Sequence, residues 1–341
     1  QLAAIDLGSN SFHLTIAREF QGELQLVDRM GEKVQLAAGL DEARILSEKS
    51  IQRGLDCLQK FAERLVGIPR QSIRIVGTNT LRAARNRQRF IQPAEQLLGC
   101  PVEVISGREE ARLIYLGVAH SFADDQAQRL VVDIGGGSTE FIVGKRFSPQ
   151  QLESLQMGCI SYTQRYFPDG KLDRQSFQRA VNSAHLELLN IRRHYQQLNW
   201  QDVVGSSGTI KATYRLLNPD ESSVQPITLQ FLRKLRDQLI DFGQADKIRL
   251  DGIKNNRATV MPAGIAILIA VFEALNIDGM KFSEGALREG LLYDHIGRQQ
   301  HEDVRERTIS ALMERYHVDQ EQASKVEKTA LSCLEQTTLC G

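Results

Sequence analysis

Ile5-Asp-Leu-Gly-Ser-Asn-Ser-Phe-His-Leu-Thr-Ile16 returns 127 positions later as Val132-Asp-Ile-Gly-Gly-Gly-Ser-Thr-Glu-Phe-Ile-Val143, pairing Asp6 with Asp133, Gly8 with Gly135 and Ser11 with Ser138. Each copy is an apolar run, a turn of Gly, Ser or Asn, and a second apolar run, which is the pattern of a hairpin. A second pair follows at almost the same spacing. Ile73–Leu81 resembles Asp202–Ile210, with Val76-Gly77-Thr78 against Val204-Gly205-Ser206 at an offset of 128. In both, a short strand meets small hydroxyl residues and then a helical pattern. Two matched motifs at nearly one offset predict a duplicated α/β unit.

The intervening sequence supports that reading. Residues 47–66 place Ile51, Leu55, Leu58, Phe61, Ala62 and Leu65 on one helical face. Val102–Ile105 reads as a strand and Ser106–Ala119 as a helix. Residues 173–196, 228–242 and 262–275 are helical, the last with Pro262 at its first position. Residues 302–316 and 320–336 read as a terminal helical pair, with Asp319 and Gln322 as a capping signature. Strands alternating with helices predict an α/β fold with a largely parallel sheet plus hairpins. The expected division is one lobe over 1–113, a second over 114–295, and the start of a helical domain over 296–341.

Composition narrows the function classes. The 341 residues are 42% hydrophobic and 25% charged, with 42 basic and 42 acidic side chains, so a globally basic nucleic-acid binder is disfavoured. Five cysteines (57, 100, 159, 333 and 340) are odd in number and lack CxxC spacing, so neither a disulfide framework nor a zinc site is expected, and a reducing cytosol is. The longest apolar run, Ala263–Leu275, is too short for a membrane span. No signal-peptide pattern opens the chain, and both ends read as trimmed.

The two repeated turns, Ser9-Asn10-Ser11 with Gly8 and Gly135-Gly136-Gly137-Ser138, have the chemistry of anion nests: glycines allow close backbone approach and hydroxyls add donors. An Asp at the end of each preceding strand can hold a divalent cation or its waters. A strand-like run follows Gly137, which excludes a dinucleotide-binding turn, and there is no Walker motif. In Ser106-Gly-Arg-Glu-Glu110, Ser106 and Glu109 have capping-box spacing. Glu110 instead shares a face with Leu113, Ile114 and Gly117, where burial raises a carboxyl towards the range of a useful base. Its structural alternative is an ion pair with Arg82, Arg108 or Arg112. Thr78 and Arg82 follow the strand at 73–77; Arg82 is placed to neutralise a phosphate, with Arg85, Arg87 and Arg89 behind it. Ser207, Gly208 and Thr209 offer donors from the second half, followed by Lys211 and Arg215. Gly285–Gly290 reads equally as a ligand contact or as close helix packing. His13 reads as structural, and Glu140 as pointing to the cleft beside Asp133. The His301–Asp303 cluster reads as helix capping rather than a metal site.

Taken together, D-L-G-S-N-S-F-H (6–13), G-T-N-T-L-R (77–82), S-G-R-E-E-A-R-L-I (106–114), D-I-G-G-G-S-T-E (133–140), M-G-C-I-S (157–161), G-S-S-G-T-I-K-A (205–212) and G-A-L-R-E-G (285–290) resemble the exopolyphosphatase / guanosine pentaphosphate phosphatase family, in order and up to about residue 295. The G-G-G-S-T-E and G-T-I-K-A blocks and the run at 316–323 lean towards the exopolyphosphatase branch. The resemblance implies a duplicated ribonuclease H-like fold, shared with actin, sugar kinases and chaperone ATPases. It also implies Glu110 as general base, Asp133 and Glu140 as magnesium-associated carboxylates, and phosphate-binding turns at Ser9–Ser11 and Gly135–Ser138. Arg82 and Ser207–Thr209 match residues lining the family's phosphate channel.

The expected activity is Mg2+-dependent, processive hydrolysis of terminal phosphate from inorganic polyphosphate. Guanosine pentaphosphate is the alternative substrate, and a kinase or an inert actin-like module are lesser readings. The row of cationic residues after both cleft strands, and the lack of an aromatic cluster beside the turns, argue for the polymer. Mg2+ and a monovalent cation such as K+ are the expected cofactors. A homodimer formed through the C-terminal helical region, and a cytoplasmic location with peripheral attachment to the inner membrane face, complete the expectation.

Overall fold

The computed structural model describes residues 1–20, 23–122, 126–219, 224–251, 253, 255–299 and 319–338. Both predicted hairpins form. β1 (Leu2–Leu7) pairs antiparallel with β2 (Phe12–Phe20), which pairs with β3 (Glu23–Glu32). On the other edge of β1 lie β4 (Ile73–Gly77) and then β5 (Val102–Val104), both parallel. The sheet order is β3-β2-β1-β4-β5. Its layer of helices is α1 (Glu48–Arg64), the short α2 (Asn79–Ala83) and α3 (Gln88–Leu98). The face of α1 carrying Ile51, Leu58 and Phe61 is buried, and Ser47 caps its start by accepting the Ser50 N–H. These side chains join Ile5, Leu7, Phe12 and Phe90 in one core.

The second lobe repeats the plan. β6 (Gln128–Ile134), β7 (Thr139–Lys145) and β8 (Ser148–Leu155) form the meander, and β9 (Asp202–Ser206) and β10 (Lys281–Phe282) add in parallel. Its order, β8-β7-β6-β9-β10, matches the first sheet strand for strand. The chain is thus a two-lobed α/β protein of the actin-like class. The helices between these strands are α4 (Gly107–Ala119), α5 (Cys159–Tyr166), α6 (Arg174–Gln197), α7 (Gly208–Leu217), α8 (Leu229–Asp241), α9 (Asn255–Ala258) and α10 (Met261–Leu275). Apart from Glu273, α10 is apolar and buried, packed against α5, α6 and α8. It starts at Met261, so Pro262 falls in the first turn, where a missing N–H costs nothing. α11 (Leu287–Gln299) follows β10.

Two features of this packing set up the site. α4 leaves the end of β5 but packs on β7 and β8, where the Tyr115 hydroxyl donates to the Arg146 carbonyl at 3.0 Å. The division at 113/114 falls inside this helix. The Gly285–Gly290 run packs closely, since a Cβ on Gly290 or Gly117 would strike backbone across the α4–α11 contact, and its Arg288 also lines the cleft described below.

Contacts divide the chain into Gln1–Tyr293 and Asp294–Gly341. In the second unit, α12 (Gln320–Thr338) is capped by Asp319, whose Oδ1 accepts from the N–H groups of Glu321 (3.0 Å) and Gln322 (3.1 Å). The helix expected over 302–316, the His301–Asp303 cluster and Cys340 lie outside the described residues. Among the described residues, no helix is long and apolar enough to cross a membrane, and Cys57, Cys100, Cys159 and Cys333 carry free thiols.

Candidate active site

β1 and β6 end at one cleft of about 310 Å³, and the two repeated turns form facing walls. The turns need their glycines. A Cβ on Gly8 would lie 2.8 Å from the Ser11 carbonyl oxygen, and one on Gly136 would lie 2.8 Å from the Ser9 Cβ of the opposite turn. The start of α5 grips the second turn, because the Cys159 and Ile160 N–H groups donate to the Gly135 and Gly136 carbonyls at 3.0 and 2.9 Å. That contact gives the M-G-C-I-S block a structural task.

Of the sequence-predicted phosphate-binding residues, Ser9, Asn10, Ser11, Thr78, Gly135, Gly136, Gly137, Ser138, Ser207 and Gly208 all line the cleft. Ser9 is fixed from below, its hydroxyl accepting from Thr80 at 2.8 Å. Ser207 holds φ at 96°, a region a β-carbon disfavours, while its hydroxyl caps α7. Thr209 departs from expectation. It faces inward against Gly264, because it stands on the core side of the first turn of α7, and its buried hydroxyl has no partner.

Glu110 lies in the first turn of α4, on the cleft wall and only 8% exposed. Arg82 does not join it on that wall. The Arg82 guanidinium turns back from α2 and donates through Nη1 to Glu110 Oε2 at 2.7 Å and to the Ile105 carbonyl at 2.9 Å. In place of the expected phosphate contact, Arg82 forms an ion pair with Glu110 and a hydrogen bond to the carbonyl that follows β5. Burial raises the Glu110 carboxyl to about 7 against the opposing pull of Arg82, and Asp6 and Asp133 add to the rise. Arg85, Arg87 and Arg89 are exposed and line no part of the cleft; Arg89 pairs with Glu48 at 2.7 Å.

Asp133 and Glu140 are directly opposed across β6 and β7. Asp133 reaches the cleft, accepts from the Ser206 hydroxyl, and is raised to about 6 by burial. Glu140 is fully buried and does not line the cleft, because β7 runs beneath the turn rather than along its mouth. Ser154 donates to its Oε1 at 2.8 Å, and burial, Glu110 and Asp133 together hold its carboxyl well above the ordinary range.

Buried oxygens without donors remain at Asp6 Oδ1, Asn10 Oδ1 and Glu140 Oε2. Among the described residues, no cluster of three or more His, Cys, Asp or Glu side chains forms a closed metal cage. Of those oxygens, Asp6 Oδ1 is a donor-free carboxylate oxygen at the cleft, which Asp133 also lines, and such a pair fits Mg2+, which keeps waters and takes one or two carboxylates plus substrate phosphates.

The cleft also holds residues the sequence reading did not assign to it, beside Lys211 and the Gly285–Gly290 run, which it did consider. His13 lines it, with Nδ1 3.8 Å from the Asp6 carboxylate, where a structural role was expected. Asn79, Lys211, Arg257, Phe282, Glu284 and Arg288 line it too. Lys211 and Arg288 sit within quoted motifs. Arg257 carries no local signal, since only the packing of α9 brings it against Gly208. Phe282 lies tilted against Tyr214, ring centroids 5.3 Å apart, so one ring of an aromatic pair lines the cleft.

The Ppx/GppA phosphatase family profile matches residues 15–299, and domain III of that family matches 304–340. Two curated relatives, the guanosine-5'-triphosphate,3'-diphosphate pyrophosphatases of Aliivibrio fischeri and Photobacterium profundum, are each 45% identical, over 99% and 97% of this chain and 67% and 66% of their own. The chain spans about two-thirds of their length. Among solved structures, the PPX-GPPA enzyme of Aquifex aeolicus is 28% identical with a TM-score of 0.72, covering 86% of this chain and 98% of its own. An exopolyphosphatase from Cytophaga hutchinsonii, 24% identical over 86% of this chain and 96% of its own, shares the fold with a TM-score of 0.76.

Proposed function

The chain belongs to the Ppx/GppA phosphatase family, and on that footing we propose that it hydrolyses the terminal phosphoanhydride of guanosine-5'-triphosphate,3'-diphosphate. The observation that carries the hydrolase reading is Glu110: a buried carboxyl at the cleft wall, raised to about 7, facing two anion-binding turns. The substrate rests on the relatives that bear this name at 45% identity over nearly the whole chain. The argument for a polymer substrate has lost its main support, since the arginine row after β4 faces solvent. The cleft-lining Phe282 supports a nucleoside instead, offering a ring beside the turns.

In this mechanism the terminal phosphate rests on the backbone N–H groups and hydroxyls of the two turns. Glu110 orients a water for in-line attack on the terminal phosphorus and accepts its proton as the new O–P bond forms and the bridging P–O bond breaks. Arg82 holds the Glu110 carboxylate in position and keeps part of its population ionised at neutral pH. Lys211, Arg257 and Arg288 offset charge on the leaving diphosphate. Asp133, with Asp6 or Glu140, would hold Mg2+, which when bound supplies further charge neutralisation. Inorganic phosphate and the guanosine bis-diphosphate leave.

Phosphate release from guanosine pentaphosphate and from long polyphosphate, measured in one buffer with Mg2+, tests this reading. A higher kcat/KM on the nucleotide is expected. A higher value on polyphosphate would transfer the assignment to the polymer, and phosphoryl transfer from ATP to an acceptor would point to a kinase.

A further inference from the structure

The sheet face that carries Asp6 and His13 to the cleft continues one register row back through Ala4, Thr15 and Arg29. Arg29 stands on the edge strand β3 of the first lobe, and its Nη2 donates to Glu289 Oε1 at 2.7 Å. Glu289 is the third residue of α11, and its other oxygen, Oε2, accepts the Ala286 N–H at 3.0 Å. A carboxylate reaching back from this position to the N–H before the helix is half of a capping box. One side chain thus closes the first turn of α11 and ties it to a strand of the opposite lobe, while the body of α11 packs on α4. The first N–H groups of a helix have no partner within it, so the shape of that turn depends on its cap. The turn presents Arg288, which lines the cleft. Burial raises the Asp133 carboxyl, and the Arg288 guanidinium is near enough to oppose that rise.

We propose that Arg29 and Glu289 are positioning residues for the hydrolysis: the pair fixes the first turn of α11 from the opposite lobe and so holds Arg288 on the cleft wall near Asp133. Neither residue lines the cleft, so both act through Arg288. The Glu289 side chain is only 15% exposed against 39% for Arg29, so loss of the guanidinium leaves a largely buried carboxylate without its cation and loosens the cap that carboxylate makes. The inference rests on the hydrolase reading, in which Arg288 offsets charge on the leaving diphosphate. An interaction of that kind strengthens as the bridging P–O bond breaks, so misplacing Arg288 lowers kcat more than it raises KM.

The test is a double-mutant cycle on phosphate release from guanosine pentaphosphate with Mg2+, using wild type, Arg29→Gln, Arg288→Gln and the double variant. Arg29→Gln is expected to lower kcat by about tenfold to a hundredfold with little change in KM, and Arg29→Lys to recover part of the loss. Made in the Arg288→Gln background, Arg29→Gln should cost less than about threefold, because the residue it acts through is already gone. A merely structural role lowers the active fraction by the same factor in both backgrounds, so losses that multiply, or an unchanged kcat in Arg29→Gln, overturn the proposal. Amide hydrogen exchange over 286–290, followed without substrate, should quicken in Arg29→Gln, and unaltered exchange also overturns it. A wild-type protein that releases phosphate from neither guanosine pentaphosphate nor polyphosphate overturns the hydrolase reading instead, and the exchange measurement then decides the Arg29–Glu289 hold by itself, so the two failures are distinct.

Discussion

Replacing Glu110 with Gln removes the proton acceptor while keeping the side chain's shape and an oxygen for Arg82 to donate to. Turnover should fall ~10²–10⁴-fold, the usual worth of a general base. In the wild type, kcat/KM should rise with pH along an acid limb centred near 7, the value at which the buried carboxyl ionises. In Glu110→Gln that limb should vanish from the residual rate. Stability supplies an independent reading. The Glu110 pKa is raised from 4.5 unfolded to about 7 folded, so its contribution is fully present below 4.5 and is lost as pH rises through 7. That shift corresponds to roughly 3 kcal/mol at most, to be taken as order of magnitude. Urea unfolding without added divalent cation should therefore show the variant gaining on wild type between pH 5 and 8, by on the order of 1–3 kcal/mol. An acid limb that survives in Glu110→Gln, or a stability difference constant with pH, would refute the assignment of Glu110 as a buried titrating base.

The remaining expectations follow from neighbouring contacts. Arg82→Ala removes the ion pair that opposes the rise in the Glu110 pKa, so the acid limb of kcat/KM should move to higher pH; an unmoved limb would separate Arg82 from the base. Chelation should abolish activity and Mg2+ restore it, and Glu140→Ala should raise the Mg2+ concentration needed; an unchanged Mg2+ titration would remove Glu140 from the metal's surroundings. Arg87→Ala and Arg89→Ala, both at exposed positions outside the cleft, should leave kcat/KM unchanged, and a tenfold loss in either would restore the arginine row as a substrate track. Gly117→Ala forces a methyl group onto the Ala286 backbone and should destabilise by ~1–3 kcal/mol in urea melts; a neutral result would mean that α4 and α11 can separate.

Much of the architecture was legible because it is written in short-range patterns. The repeat at 5–16 and 132–143 encodes two hairpins through turn chemistry and alternation, and the offset between copies carries the duplicated strand order. The helix starts at Ser47, Ser106, Asp173, Thr228 and Asp319 were readable because capping is settled within three residues of the cap. The inward face of Glu110 followed from helical periodicity alone.

What was not legible has one physical origin, because the direction and partner of a long side chain depend on elements distant in sequence. Arg82 lies one turn past a cleft strand, as a phosphate ligand would, yet the Ile105 carbonyl and Glu110, from another strand and helix, offer it nearer acceptors. Glu140 alternates towards Asp133 as expected, but the depth of β7 keeps it off the cleft surface. Arg257 reaches the cleft through the packing of α9, against Gly208 of another helix. Local sequence thus determined the strands, the turns and the inward face of Glu110. Tertiary packing decided which charges stand around that carboxyl, since electrostatic partners are set by distance in space and the chain's order does not encode that distance.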